Sequence, residues 1–373
     1  MSNQEKIIEE TFEETIPTKE PVWKKILSFF LQYILPVVFT VLLLVFLFHK
    51  VDFREMWSYI QHGVDYWWIL LAMGISIFSH VFRAARWQLQ LNALNIRPPF
   101  MALCCSIFGC YALNLVLPRL GELWRCTYIS GYKKNSFPKV LGSMLADRAA
   151  DTTTVVLLFV FSLIVATPAI LSFLDKYPIG KDFIHLISQF WFWAAIVGTI
   201  LLVALAVYLL RNHPFFLKTK GLASNVWHGI IVIATMRGKW KFLLFTFGIW
   251  GCYFIQLYVA FYAFSFTRAL CHEDGLVAGL IPCLVAFVLS SISMAIPSNG
   301  GLGPWNIAIM FSLAVYGVEE PEGTAFSIVQ WSGQTIMLIL LGIFTMVYIY
   351  MRPASSSTVQ SSSESQLKSE GRG

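Results

Sequence analysis

The stretch NLVLPRLGELWR, Asn114 to Arg125, follows directly on the apolar run FMALCCSIFGCYAL, Phe100 to Leu113. A helix needs about 20 apolar residues to cross the roughly 30 Å of hydrocarbon in a bilayer, and this run stops short. Pro118 has no amide proton to continue a helix, and Gly121 loosens the backbone beyond it. Arg119, Glu122 and Arg125 then put charge where lipid should lie. Irregular backbone within a membrane is tolerated only where protein buries it or where it lines a wet cavity. The break therefore predicts a protein-lined interior, and everything around it has to be arranged to supply one.

The rest of the chain supports a membrane setting. It is 57% hydrophobic, 16% aromatic and only 13% charged, with a mean hydropathy of +0.66, whereas soluble domains are about 25% charged. Apolar spans are expected at 27–48, 66–84, 152–174, 190–210, 241–264 and 324–350. Two further regions, 98–150 and 276–318, are cut by proline and glycine. The fold class is an all-α polytopic membrane bundle of about six full spans plus two broken or re-entrant hairpins. Residues 1–26 form a polar N-terminal segment ahead of an uncleaved first span, 27–352 the membrane domain, and 353–373 a disordered Ser-rich tail. A formal charge of +6 could suggest nucleic acid, but the basic residues sit in short loops beside apolar spans and read as topology signals. Of seven cysteines, Cys104, Cys105, Cys110, Cys252 and Cys283 fall in apolar segments and read as packing residues, with no disulfide or CxxC framework. No cofactor is implied, and CHED, Cys271 to Asp274, lacks partners at metal-ligand spacing.

Lys and Arg near span ends set orientation. Lys24 and Lys25 place the N-terminus in the cytoplasm, and the basic loop from Arg211 to Lys241 belongs there too. That parity requires 98–150 to enter and leave from one side, either as a re-entrant hairpin or as two short crossings with KVLGSMLADRAAD supplying part of the second. The region 276–318 then begins and ends outside, and the tail is cytoplasmic. Hairpins rooted on opposite sides suggest inverted repeats, and paired Gly/Pro-interrupted segments point to a transporter's binding site.

Arg119, Glu122 and Arg125 are spaced by three, which on a helix forms a charge-alternating row on one face. Asp147, Arg148 and Asp151 form a second charged group, with Arg148 and Asp151 at a spacing that lets them pair. Charges inside a membrane usually face a polar interior and pair with one another; the alternative is a set of interfacial charges snorkelling outward. Arg83 and Arg86 serve either as phosphate contacts or as a topology anchor. In SNGGLGP, Ser298 to Pro304, the backbone is flexible, and a helix starting near Trp305 would present free amides to an anion; a tight surface turn is the plainer reading. The segment lacks the GK[ST] ending of a nucleotide-binding loop.

Three motifs, NLVLPRLGELWR, DRAAD and PSNGGLGPWN, together with RAARW at Arg83 to Trp87, resemble those of the flippase-like membrane domain of lysylphosphatidylglycerol synthases. The resemblance covers about residues 27 to 350. It assigns site positions to Asn114, Arg119, Glu122, Arg125, Asp147, Arg148 and Asp151, and backbone roles to Pro118, Gly121, Pro297, Gly300, Gly301 and Gly303. Asn299 and Asn306 join them as polar residues of the late motif; Asn306 stands where the family commonly has glutamate. Only the Ser-rich tail follows the last span, so the soluble acyltransferase domain of the full-length synthases is expected to be absent, and the chain is not expected to be an enzyme.

What the resemblance implies is a translocator of a phospholipid or lipid-linked anionic substrate, in the plasma (inner) membrane and with no nucleic-acid partner. Arg119, Arg125 and Arg148 would contact phosphate, Glu122, Asp147 and Asp151 would hold the arginines, and the glycines would let the hairpins approach or move. The alternative is a non-transporting scaffold for a lipid- or glycan-modifying enzyme partner.

Overall fold

A computed structural model describes residues 53–117, 119–132, 135–176, 189, 194, 238–271, 279–296 and 298–351. The expected spans at 27–48 and, but for residue 194, 190–210, the segment 1–26, the loop residues 211–237, the tail 353–373, Pro118, Pro297 and the sequence His272 to Asp274 lie outside them. Among the described residues there are ten α-helices: α1 Phe53–His62, α2 Tyr66–Ala93, α3 Phe100–Val116, α4 Leu120–Gly131, α5 Phe137–Lys176, α6 Lys239–Ala260, α7 Ser265–Leu270, α8 Leu280–Ser293, α9 Pro304–Ala314 and α10 Glu320–Met351. The all-α membrane bundle expected from the sequence is what forms.

Four of the helices, α2, α5, α6 continued by a 3-10 turn, and α10, are long and apolar enough to cross a membrane. Their outward faces expose large apolar side chains, including Leu70 and Phe78 on α2, Phe247 on α6, and Leu340 and Met346 on α10. In water such surface would be a liability; in lipid it is the solvated face.

The ends of α2 follow from local chemistry. Asp65 accepts a hydrogen bond from the Trp67 amide at 3.3 Å and so caps the first turn. At the other end Asn95 takes a left-handed φ of 60°, and the Ile96 amide returns to the Leu91 carbonyl at 2.9 Å before Pro98 and Pro99 forbid continuation. This helix outruns the expected span, 66–84, because Arg83 and Arg86 are buried in the bundle and do not anchor a loop.

The irregular region 98–150 resolves in favour of the hairpin. Helix α4 runs back along α3, with Trp124 beside Gly109 and Gly121 against Cys110 and Asn114, an antiparallel register. KVLGSMLADRAAD is no separate crossing: it is the first part of α5, continuous with the span expected at 152–174. Helices α8 and α9 pack together as a second broken pair, joined through the 3-10 turn Asn299–Gly301.

Two apolar cores hold the bundle. One gathers α1, the start of α2, the end of α6, and α8 to α10, around Phe261, Phe264 and Phe326. The other joins the end of α2 to α3, α4 and the start of α5, around Trp87, Leu103 and Ile129. Helix α2 contributes Ile69, Ala72 and Met73 to the first and Ala84, Trp87 and Leu91 to the second. Between them it carries the buried polar residues Ser76, Ser79, His80 and Arg83. The polar site occupies that gap. The cysteines are free, and all but the half-buried Cys252 are buried.

Candidate functional site

The site is organised by the tips of the two broken hairpins, which touch. At the first tip, α3 ends at Val116, Arg119 adopts a left-handed φ of 66°, and α4 begins at Leu120. The turn is clamped by Asn114, whose Oδ1 accepts from the Gly121 amide at 2.9 Å. A Cβ at position 121 would run into the Cys110 carbonyl, so only glycine lets the two helices approach this closely. At the second tip Gly300 has a φ of 59°, and a Cβ there would meet Leu115 Cδ2 of the first tip at 2.6 Å. Asn299 Nδ2 donates to the Val116 carbonyl at 3.5 Å, and Trp331 Nε1 on α10 donates to the Gly300 carbonyl at 2.9 Å.

One sequence expectation fails here. The row Arg119, Glu122, Arg125 does not share a helical face: Arg119 precedes α4 in a left-handed conformation and is exposed, whereas Arg125 turns into the bundle. At the start of α9 two positions offer no free amide proton. Pro304 has none, and the Gly303 amide donates to Asn306 Oδ1 at 3.1 Å. Asn306, fully buried, spends its own amide group on Ser327 Oγ at 3.3 Å. It caps its own helix.

Behind the first tip lies a buried ionic cluster. Arg86 bridges two carboxylates on α5, reaching Asp147 Oδ1 and Asp151 Oδ1 at 2.7 Å each, with Nη1 donating to Thr246 Oγ1 at 3.3 Å. Arg83 pairs with Asp151 Oδ2 at 2.5 Å and stands 3.7 Å from Asp147. Arg125 faces Asp147 Oδ2 at 3.8 Å and lies over the Trp87 ring at 4.6 Å, a cation–π contact in a fully enclosed setting. The aspartates, four apart on α5, thereby tie together α2, α4, α5 and α6. Nearer the surface, Arg148 Nε stands 3.1 Å from Glu122 Oε1, and Arg148 Nη1 is 3.9 Å from Asp151.

In front of the cluster opens a cavity of about 430 Å³. Of the residues singled out in the sequence, Arg83, Asn114, Arg119, Glu122, Arg148 and Asp151 line it, joined by Gly300 and Gly301 of the second tip. Arg86, Arg125 and Asp147 do not; they lie behind the wall, fully buried. Asn299, Asn306, Gly121 and Gly303 shape the tips without lining the cavity. The sequence reading missed a set of uncharged lining groups: His80 and Tyr111, Trp250, Tyr253 and Gln256 on α6, and Gln330, Trp331 and Gln334 on α10. A signal was available, because glutamine inside an apolar span, as in FIQLY and VQWSGQ, is a polar residue that normally faces an interior. Among the described residues no group of three His, Cys, Asp or Glu could hold a metal ion.

A helical membrane protein whose two interrupted hairpins meet over a charged cavity is the class that fold and site define. Residues 33–342 match the lysylphosphatidylglycerol synthase TM region, and the chain belongs to that family. No curated protein and no solved structure matches it.

Proposed function

We propose that the protein carries the head group of an anionic lipid or lipid-linked substrate between leaflets through this cavity, the acyl chains remaining in the bilayer. The observation that supports this reading is the shared cavity itself: Arg83, Arg119 and Arg148 line one space together with both hairpin tips, inside a bundle whose outer faces are apolar. Guanidinium groups bind phosphate through charge-assisted bonds in a fixed fork. Arg119 is the cation best disposed to a substrate. It is exposed to the cavity and has no carboxylate partner among the described residues, whereas Arg83 and Arg148 are already paired. The setting would be the plasma membrane, with both termini cytoplasmic.

Reconstitution into liposomes tests the reading. The protein should accelerate exchange of a labelled anionic phospholipid between leaflets, and Arg119→Ala should slow that exchange without loss of folded protein. An exchange rate equal to that of empty liposomes would remove transport and favour a scaffold for a lipid-modifying enzyme.

A further inference from the structure

Away from the charged residues the cavity lining sets uncharged polar groups among apolar ones, and its chemistry narrows the ligand. Gln256, Gln330 and Gln334 bring amides to it, and Trp250, Tyr253 and Trp305 bring rings. Several of these groups hold unused hydrogen-bonding capacity. Gln256 Oε1, Gln330 Oε1 and Trp250 Nε1 are buried with no partner among the described residues. So are both ring nitrogens of His80, which is 2% exposed and packed 4.7 Å from the Tyr111 ring. A buried polar atom without a partner costs about 1–3 kcal/mol; these atoms have almost no accessible surface, so a hydroxyl in the cavity meets them only when the side chain turns toward it. Amides satisfy hydroxyl pairs as donor and acceptor, and aromatic faces accept the C–H side of a polyol by apolar contact.

The ionic wall sets the charge. Three arginines and two carboxylates line the cavity, an excess of one positive charge. Both carboxylates are committed, Asp151 to Arg83 and Arg86, Glu122 to Arg148. A cationic head group would find no free carboxylate and would face Arg119, whereas a phosphodiester meets the positive excess.

We infer that the cavity takes a hydroxyl-rich head group on a monoanionic phosphodiester, such as an inositol, glycerol or sugar phosphate, and rejects an aminoacylated, cationic head group. This rests on the lipid-binding reading above and names the chemistry of that same site.

The test compares Kd values of the purified full chain for four probes: dioctanoyl phosphatidylinositol, dioctanoyl phosphatidylethanol, dioctanoyl lysylphosphatidylglycerol and water-soluble inositol phosphate. The inositol lipid should bind about tenfold more tightly than either other lipid, the size of difference that ~1.4 kcal/mol of added hydrogen bonding gives. Gln256→Leu and Gln330→Leu should each erase about a threefold part of the preference over phosphatidylethanol, with unfolding temperatures near that of the wild type showing that the variants are folded. Phosphatidylethanol or the lysylated lipid binding as tightly as the inositol lipid would overturn the head-group inference, yet leave exchange of an anionic lipid standing. Soluble inositol phosphate binding as tightly as the lipid would keep the head-group chemistry and overturn the lipid reading beneath it.

Discussion

Arg86 and Arg119 are the same residue type in the same small site, and they have opposite environments. Arg86 is fully enclosed, shared between Asp147 and Asp151, and in contact with the Phe242 ring at 5.3 Å. Arg119 is exposed at a hairpin tip, in a left-handed backbone conformation, with no carboxylate beside it among the described residues. The first joins helices together; the second faces the cavity. On the proposed reading, loss of Arg86 should unfold the protein, whereas loss of Arg119 should leave it folded but inactive.

Substitutions can break that division. Arg86→Ala should have the largest effect on stability, about 3–5 kcal/mol, because it leaves the buried Asp147 carboxylate with no cation closer than 3.7 Å. The readout is a fall in unfolding temperature in detergent, with little protein recovered in folded form. Gly121→Ala should cost about 1–3 kcal/mol by forcing α3 and α4 apart at the Cys110 carbonyl, seen in the same assay and as a loss of exchange. Glu122→Gln removes an ion pair that is about a quarter to a third exposed on each side, so it should cost about 1 kcal/mol or less, and it should change lipid binding more than unfolding temperature. Arg119→Ala should shift stability by no more than about 0.5 kcal/mol, while exchange falls about tenfold or more through loss of a charge-assisted bond worth ~1.5–3 kcal/mol. A substitution at Arg119 that unfolds the protein, or one at Arg86 that spares it, would erase the distinction.

Much of this was legible in the sequence where hydropathy or backbone chemistry is local. The spans at α2, α5, α6 and α10 are apolar runs long enough to cross a bilayer. The two breaks were marked by Pro and Gly, the first of them among charges. What was not legible depends on distant partners and on direction. That Arg83 and Arg86 reach Asp151 and Asp147, more than sixty residues away, follows from packing of α2 against α5. Spacing by three put Arg119 and Arg125 on one face only on the premise that both are helical, and the turn that Gly121 permits takes Arg119 out of the helix. DRAAD could not be assigned to a hairpin or a span by charge count alone, because a buried ionic cluster lets a continuous helix carry three charges through its first half. Asn306, at a position where family resemblance suggested glutamate, proved to be a helix cap.

Mass spectrometry of the protein extracted in native membrane discs, wild type beside Arg119→Ala, tests the central claim most directly. The account predicts that the wild type retains an anionic lipid through delipidating washes and that the variant, equally well folded, has lost it. Retention of the same lipid by both forms, or of none by the wild type, would contradict a phosphate site at the meeting of the two hairpin tips.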